Sequence, residues 1–201
     1  GCLAVAAFGV ALFFSGPWVW YLAPLYWAVV FLGFEDRFIL MLHCTSHRQL
    51  FKPEHRRLNY VIPWVIGPFF GETPETYFVH HMGMHHPENN LQTDLSSTMR
   101  YRRDRLSHWL HYLFSFLSVG PALLAVYHWR KRNQKMLQRM LSGELTFYAV
   151  VAVLLAVNWR ATLVVFVIPV LLVRTLMMAG NWAQHAFVDA SDPANPYKNS
   201  I

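Results

Sequence analysis

"PWVWYLAPLYWAVVFLGF", residues 17–34, runs for 18 residues without a charge. At 1.5 Å per residue a helix of that length nearly covers a hydrocarbon core of ~30 Å, so the run reads as a membrane crossing. Composition agrees. The 201 residues are 55% hydrophobic and only 14% charged, with 8 Trp, 9 Tyr and 15 Phe, whereas soluble domains are nearer ~25% charged.

Further crossings are expected on either side of this run. "ATLVVFVIPVLLV" (161–173) continues through "TLMMAG", and "LTFYAVVAVLLAVNW" (145–159) pairs with it as a hairpin about Asn158, Trp159 and Arg160. The opening "LAVAAFGVALFF" (3–14) is too short to span alone and reads as a crossing whose start is absent, since Gly1 replaces an initiator Met. A cleaved signal sequence is the alternative, but no basic flank precedes it. Cys2 and Cys44 suggest no disulfide framework.

Between these runs, residues 48–143 carry 13 of the 17 basic residues, including "RYRRDR" and "HWRKRNQK". By the positive-inside rule this is the cytosol-like face. The net charge of +6 reads as a preference for acidic headgroups or an acidic protein. Nucleic acid is excluded, since no binding module with interleaved aromatics is visible. "YVIPWVIGPFFG" (60–71) is too short to cross and lies in or dips into the interface. "LSHWLHYLFSFLSVGPALLAVY" (106–127) is long enough, but Gly120-Pro121 interrupts it, and a crossing there would strand His185 on the wrong side. The expectation is an all-α integral membrane fold of four transmembrane helices, roughly 3–14, 17–36, 145–158 and 161–179. Its helical cytosolic-side cap, 48–143, is an insertion within a single domain 1–201.

The histidines then fall on one face. "HCTSH" sets His43 and His47 four apart; "HHMGMHH" (80–86) sets His81 and His85 four apart with His86 beside them; "NWAQH" sets Asn181 and His185 four apart. Residues at i and i+4 share a helix face about 6 Å apart, which suits imidazoles converging on cations. Coincidence explains any one pair; three at one face argue for metal. Six histidines exceed the need of one tetrahedral zinc, and neither a cysteine cluster nor His-Glu-x-x-His is present. Imidazole also suits iron and copper, and so large a set suggests two ions. Haem would leave the paired spacing unexplained. His80, turned about 100° from His81 on a helix, falls outside the ligand set. His55, His108, His111 and His128 are given no function.

The pattern resembles the membrane fatty-acid desaturase and hydroxylase superfamily, known for a His-x(3–4)-His box, a His-x(2–3)-His-His box and a third His-x-x-His-His box. The resemblance implies that His43 and His47 form the first box and that His81, His85 and His86 form the second. It makes His185 a ligand and lets Asn181 act through water. It also implies two non-haem irons, O₂-dependent chemistry on C–H bonds of a lipid or fatty-acyl chain, and an electron donor such as a ferredoxin or small cytochrome. No third box follows "VDASDPANPYKNSI", so the chain is expected to be a fragment; a relative that no longer assembles the irons is the competing reading. The function expected is that of a desaturase. The alternative is a non-catalytic subunit or lipid-packing component of a larger membrane complex. Chloroplast and endoplasmic reticulum both remain open as the organelle, and aromatics of 17–34 and 60–78 are candidate tunnel walls, although core packing explains them more simply.

Finally, Asp36, His43 and His47 are spaced by seven and four, as are Arg174, Asn181 and His185. The matching depth predicts an ion pair of Glu35-Asp36 with Arg174 beneath the metals, with local pairing to Arg37 as the alternative.

Overall fold

The computed structural model describes residues 1–187, 191, 192 and 195, and every regular element among them is helical. The chain divides into two compact units, Gly1–Tyr77 with Ser142–Val173, and Phe78–Leu141 with Arg174–Ile201.

In the first unit, α1 (Cys2–Leu12) precedes a helical stretch made of α2 (Val19–Trp27), a π-helical segment (Ala28–Phe34) and α3 (Glu35–His47). Pro24 has no N–H to donate within α2, and the π turns that follow are one way apolar helices re-satisfy a disturbed backbone ladder. The expected crossing 17–36 thus runs directly into the helix that carries His43 and His47. Residues 60–71 include a short π-helical segment, Ile62–Ile66, and a 3₁₀ turn, Gly67–Phe70. They end at Gly71 with φ +70, where an added Cβ would lie 2.5 Å from the Pro169 carbonyl oxygen, so only glycine fits.

The aromatics of these segments mostly pack the core. Tyr26, Phe38 and Phe70 are fully buried; Phe38 stacks on Phe70 at 4.3 Å, and Trp27 Nε1 donates to the Val164 carbonyl at 2.9 Å.

α7 (Gln134–Thr162), a π segment (Leu163–Val167) and α8 (Ile168–Gln184) follow one another, broken at Asn158 (φ −153, ψ 84). Asn158 Oδ1 accepts the Ala161 N–H at 3.2 Å, capping the new helix, and Nδ2 donates to the Phe13 carbonyl at 3.1 Å. The break expected at 158–160 is therefore present.

The second unit holds α4 (Thr76–His80) from Phe78 on, a π turn (His81–His85), α5 (His86–Glu88) and α6 (Leu106–Arg130). Gly120-Pro121 does not interrupt α6, which corrects the sequence expectation. The Phe116 ring lies against Gly120, and buried Leu113 and Leu124 anchor the helix on either side of the proline, so packing overrides one lost backbone bond. Among the described residues, two helical stretches are long and apolar enough to cross a membrane, Leu106–Arg130 and Gln134–Gln184. α6 also exposes Phe114, Val119, Leu123 and Val126, an apolar surface that suits lipid better than water.

Candidate metal centre

In the first unit, one face of α3 presents both imidazoles of the first pair. The rings of His43 and His47 lie 4.9 Å apart, and His43 Nδ1 is 3.2 Å from the Tyr77 hydroxyl. Burial first, and then the neighbouring His47, push His43 below the ordinary imidazole range, which favours the neutral form that binds metal.

The second unit contains the π turn His81–His85, in which the His86 N–H bonds to the His81 carbonyl. A π turn closes over five residues where an α turn closes over four. The side chain that meets His81 is therefore His86: their Nε2 atoms are 3.0 Å apart and their rings 4.4 Å, whereas the His81 and His85 rings are 6.1 Å apart. The sequence expected His81 and His85 on one face with His86 beside them; the structure sets His81 closer to His86 than to His85. His80 lies parallel to His85 at 6.1 Å and edge-on to Phe116 at 5.9 Å. Its Nε2 is buried without a hydrogen-bond partner, and burial, reinforced by His85, pushes the ring down to about 4.

His185 is buried, its ring 5.5 Å from that of His85. Asn181 spends its amide on protein: Nδ2 donates to the Ser96 carbonyl at 3.0 Å and to the Tyr112 hydroxyl at 2.6 Å. Asp94 was missed by sequence reasoning. It is fully buried, and its Oδ2 lies 2.7 Å from His85 Nδ1. Burial opposes its ionisation, but hydrogen bonds from His85 and Ser96 outweigh this and hold the carboxyl below the usual range. The only sequence signal was an acid in the polar stretch "ENNLQTDLSST" after the second box.

His128, given no role from sequence, is fully buried beneath the π turn, where a Cβ on Gly83 would approach its Cε1 to 3.1 Å. Its ring nitrogens lack a partner of good geometry, the Val79 carbonyl approaching without forming a regular hydrogen bond. Of the expected ion pair, Asp36 is exposed and sits 3.6 Å from Arg37, so this residue pairs locally on its own helix. Glu35 is buried with neither carboxylate oxygen hydrogen-bonded. Arg174 lies on α8 in the second unit.

A cleft of about 560 Å³ opens beside the second histidine group, lined by His80, Arg100, Tyr101, His111, Phe116 and Leu123 among others. Its apolar wall belongs to α6, outside the segments 17–34 and 60–78 from which tunnel walls were expected.

The donor set fits transition-metal binding on its own chemistry. Imidazoles converge nitrogen to nitrogen at His81 and His86, and His85 is held through Nδ1 by a carboxylate, which leaves Nε2 available. The class defined is an all-helical protein with apolar helices of bilayer length and clustered histidine donors. The chain belongs to the fatty acid desaturase family, whose model matches residues 18–201. No curated protein and no solved structure matches it. Membership places it among membrane-bound, desaturase-like lipid oxidoreductases, a family that generally uses two irons and takes lipid or acyl substrates.

Proposed function

We propose that this chain carries the catalytic machinery of a membrane-bound, O₂-dependent oxidoreductase acting on C–H bonds of a lipid-borne acyl chain, a desaturase. The observation that carries the reading is the convergence of His81 and His86 with His85 anchored beside them, within a chain of the desaturase family. His43, His47, His81, His85, His86 and His185 would hold two non-haem irons, on the four-crossing, capped scaffold that the sequence suggests. When bound, the irons supply the electrons and Lewis acidity needed to activate O₂.

The protein's own contributions are positional. His43 and His85 keep their rings oriented through Tyr77 and Asp94. The apolar α6 wall of the cleft places a hydrocarbon chain near the histidines and excludes water from it. Arginines of 100–105 and the basic residues of 130–139 offer an acidic ferredoxin or small cytochrome a docking surface.

The test is metal analysis of the purified full-length protein together with mass spectrometry of membrane lipids from cells expressing it. About two irons per chain and a new double bond support the reading. A folded protein that takes up no iron and leaves the lipids unaltered would overturn it in favour of a non-catalytic component of a larger membrane complex.

A further inference from the structure

Asp94 has four donors for its two oxygens. Oδ2 receives the Asn90 N–H at 2.9 Å and faces His85 Nδ1 at 2.7 Å; Oδ1 receives the Ser96 N–H and the Ser96 hydroxyl, each at 2.7 Å. A carboxylate has about four lone-pair directions, and these are filled. Asp94 therefore has no capacity left to ligate a metal, although it lies against a candidate ligand. A carboxylate also only accepts, so the proton between the two residues sits on His85 Nδ1. In the neutral ring this leaves Nε2 unprotonated, the form that binds metal.

Ser96, which fixes Asp94 through both N–H and hydroxyl, is itself held from behind. Its carbonyl accepts from Asn181 Nδ2 at 3.0 Å and from the Tyr112 hydroxyl at 3.3 Å, while Asn181 Nδ2 also donates to Tyr112 at 2.6 Å. Tyr112 is on α6 and Asn181 on α8, and both lie with Asp94 in the second unit. The same loop is tied once more to the turn that follows α8 by the Thr98 hydroxyl, which donates to the His185 carbonyl at 3.3 Å. Asn181 thus has a use that needs no metal-bound water: its N–H groups clamp the loop that presents Asp94.

We propose that Asp94 is the positioning residue of the metal centre, fixing the tautomer and direction of His85, and that Tyr112, Asn181 and Ser96 form the brace through which α6 and α8 hold it there. The proposal rests on the reading of His85 as a ligand, but its first consequence, the His85 tautomer, exists in metal-free protein. Supporting residues of this kind typically change metal affinity 10–100-fold when removed.

The experiment uses full-length protein in lipid nanodiscs, labelled with ¹⁵N-histidine and stripped of metal, with the His85 signals assigned by their loss in His85→Gln. The wild type is expected to show His85 protonated at Nδ1 alone. Asp94→Leu is expected to give a mixture of tautomers and to weaken Co(II) binding roughly 10–100-fold. Asp94→Asn keeps an oxygen for His85 and is expected to restore much of the wild-type tautomer ratio, which a merely structural defect would not do. Should Asp94→Leu fail to fold, Asn181→Ala and Tyr112→Phe keep Asp94 but loosen the brace, and each is expected to shift the same ratio less far. An unchanged His85 tautomer in folded Asp94→Leu, or in both brace variants, overturns the proposal. A wild type that holds the Nδ1–H tautomer yet binds no Co(II) overturns the metal reading instead, and leaves the positioning of His85 intact.

Discussion

Nε2 of His81 lies 3.0 Å from Nε2 of His86, five residues further along the chain. Two unprotonated imidazole nitrogens repel at that separation; a shared proton or a cation between them removes the repulsion. The π turn brings the two nitrogens to where one cation could take both. His81→Ala and His86→Ala should each weaken Co(II) or Fe(II) binding by at least the ~10–100-fold typical of supporting residues. His80→Ala should have a smaller effect, since that ring stacks behind His85. Equal losses at positions 80, 81 and 86 in calorimetric titrations would show that the contact has no special part in binding.

Gly83 sits inside the same π turn, where a Cβ would meet His128 Cε1 at 3.1 Å and Nε2 at 3.3 Å. Gly83→Ala is expected to cost about 1–3 kcal/mol by overpacking. His128→Ala opens the space, so the double variant should be more stable than the sum of the two changes predicts, by roughly 0.5 kcal/mol or more. Thermal unfolding of the four proteins measures this. Strict additivity would mean that the two residues do not press on each other.

The sequence made some of this architecture readable and hid the rest for identifiable reasons. The apolar run 17–34 announced its helix because nothing charged interrupts it, and Asn158 announced a break because its side chain caps the next helix better than it continues the last. Paired histidines were visible because helical spacing is short-range. The close approach of His86 to His81 was not legible because a π turn shifts the period, and histidine spacing does not encode that shift. Asp94 was invisible because a loop, with no period at all, returns it to His85. Gly120-Pro121 misled because the packing that carries α6 through it, by Phe116, Leu113 and Leu124 one to two turns away, is tertiary and not local.

Gly143 and Glu144 lock the turn at 73–76. Glu144 Oε1 accepts the hydroxyls of Thr73 and Thr76, each at 2.6 Å, and a Cβ on Gly143 would lie 1.8 Å from the Pro74 carbonyl oxygen. Backbone cannot give way as a side chain can, so Gly143→Ala should be far more damaging than Gly83→Ala, costing more than ~3 kcal/mol. Loss of folded protein on size exclusion, with the exposed Lys135→Ala unaffected, is the expected outcome. A Gly143→Ala protein that folds and melts like the wild type would contradict the close approach.

Glu35 is buried with neither carboxylate oxygen hydrogen-bonded. A buried carboxyl without a hydrogen-bond partner is costly in its charged form, and Gln removes that form altogether. Glu35→Gln is therefore expected to raise stability in alkaline buffer, where the wild-type carboxyl is driven to ionise, by ~1 kcal/mol, or roughly 2–4 °C in melting temperature for a chain of this size. A fall of similar size would reveal an ionic partner for Glu35. In that case Arg174, expected from sequence to pair with Glu35-Asp36, is the first residue to combine with it in a double-mutant cycle.

Metal removal gives a check that joins stability to the site. A ligand that binds only the folded state stabilises it by RT ln(1 + [L]/Kd), about 2.7 kcal/mol at a hundredfold excess over Kd. Chelation of the metal-loaded protein should therefore lower its melting temperature by several degrees, and restored Fe(II) or Co(II) should recover it. In His86→Ala the chelator should cause a much smaller change, because the Nε2 that meets His81 is gone. In Gly83→Ala, which damages packing but keeps every imidazole, the shift should persist from a lower starting temperature. A chelator effect of equal size in wild type and His86→Ala would place the stabilising ion somewhere other than this histidine cluster.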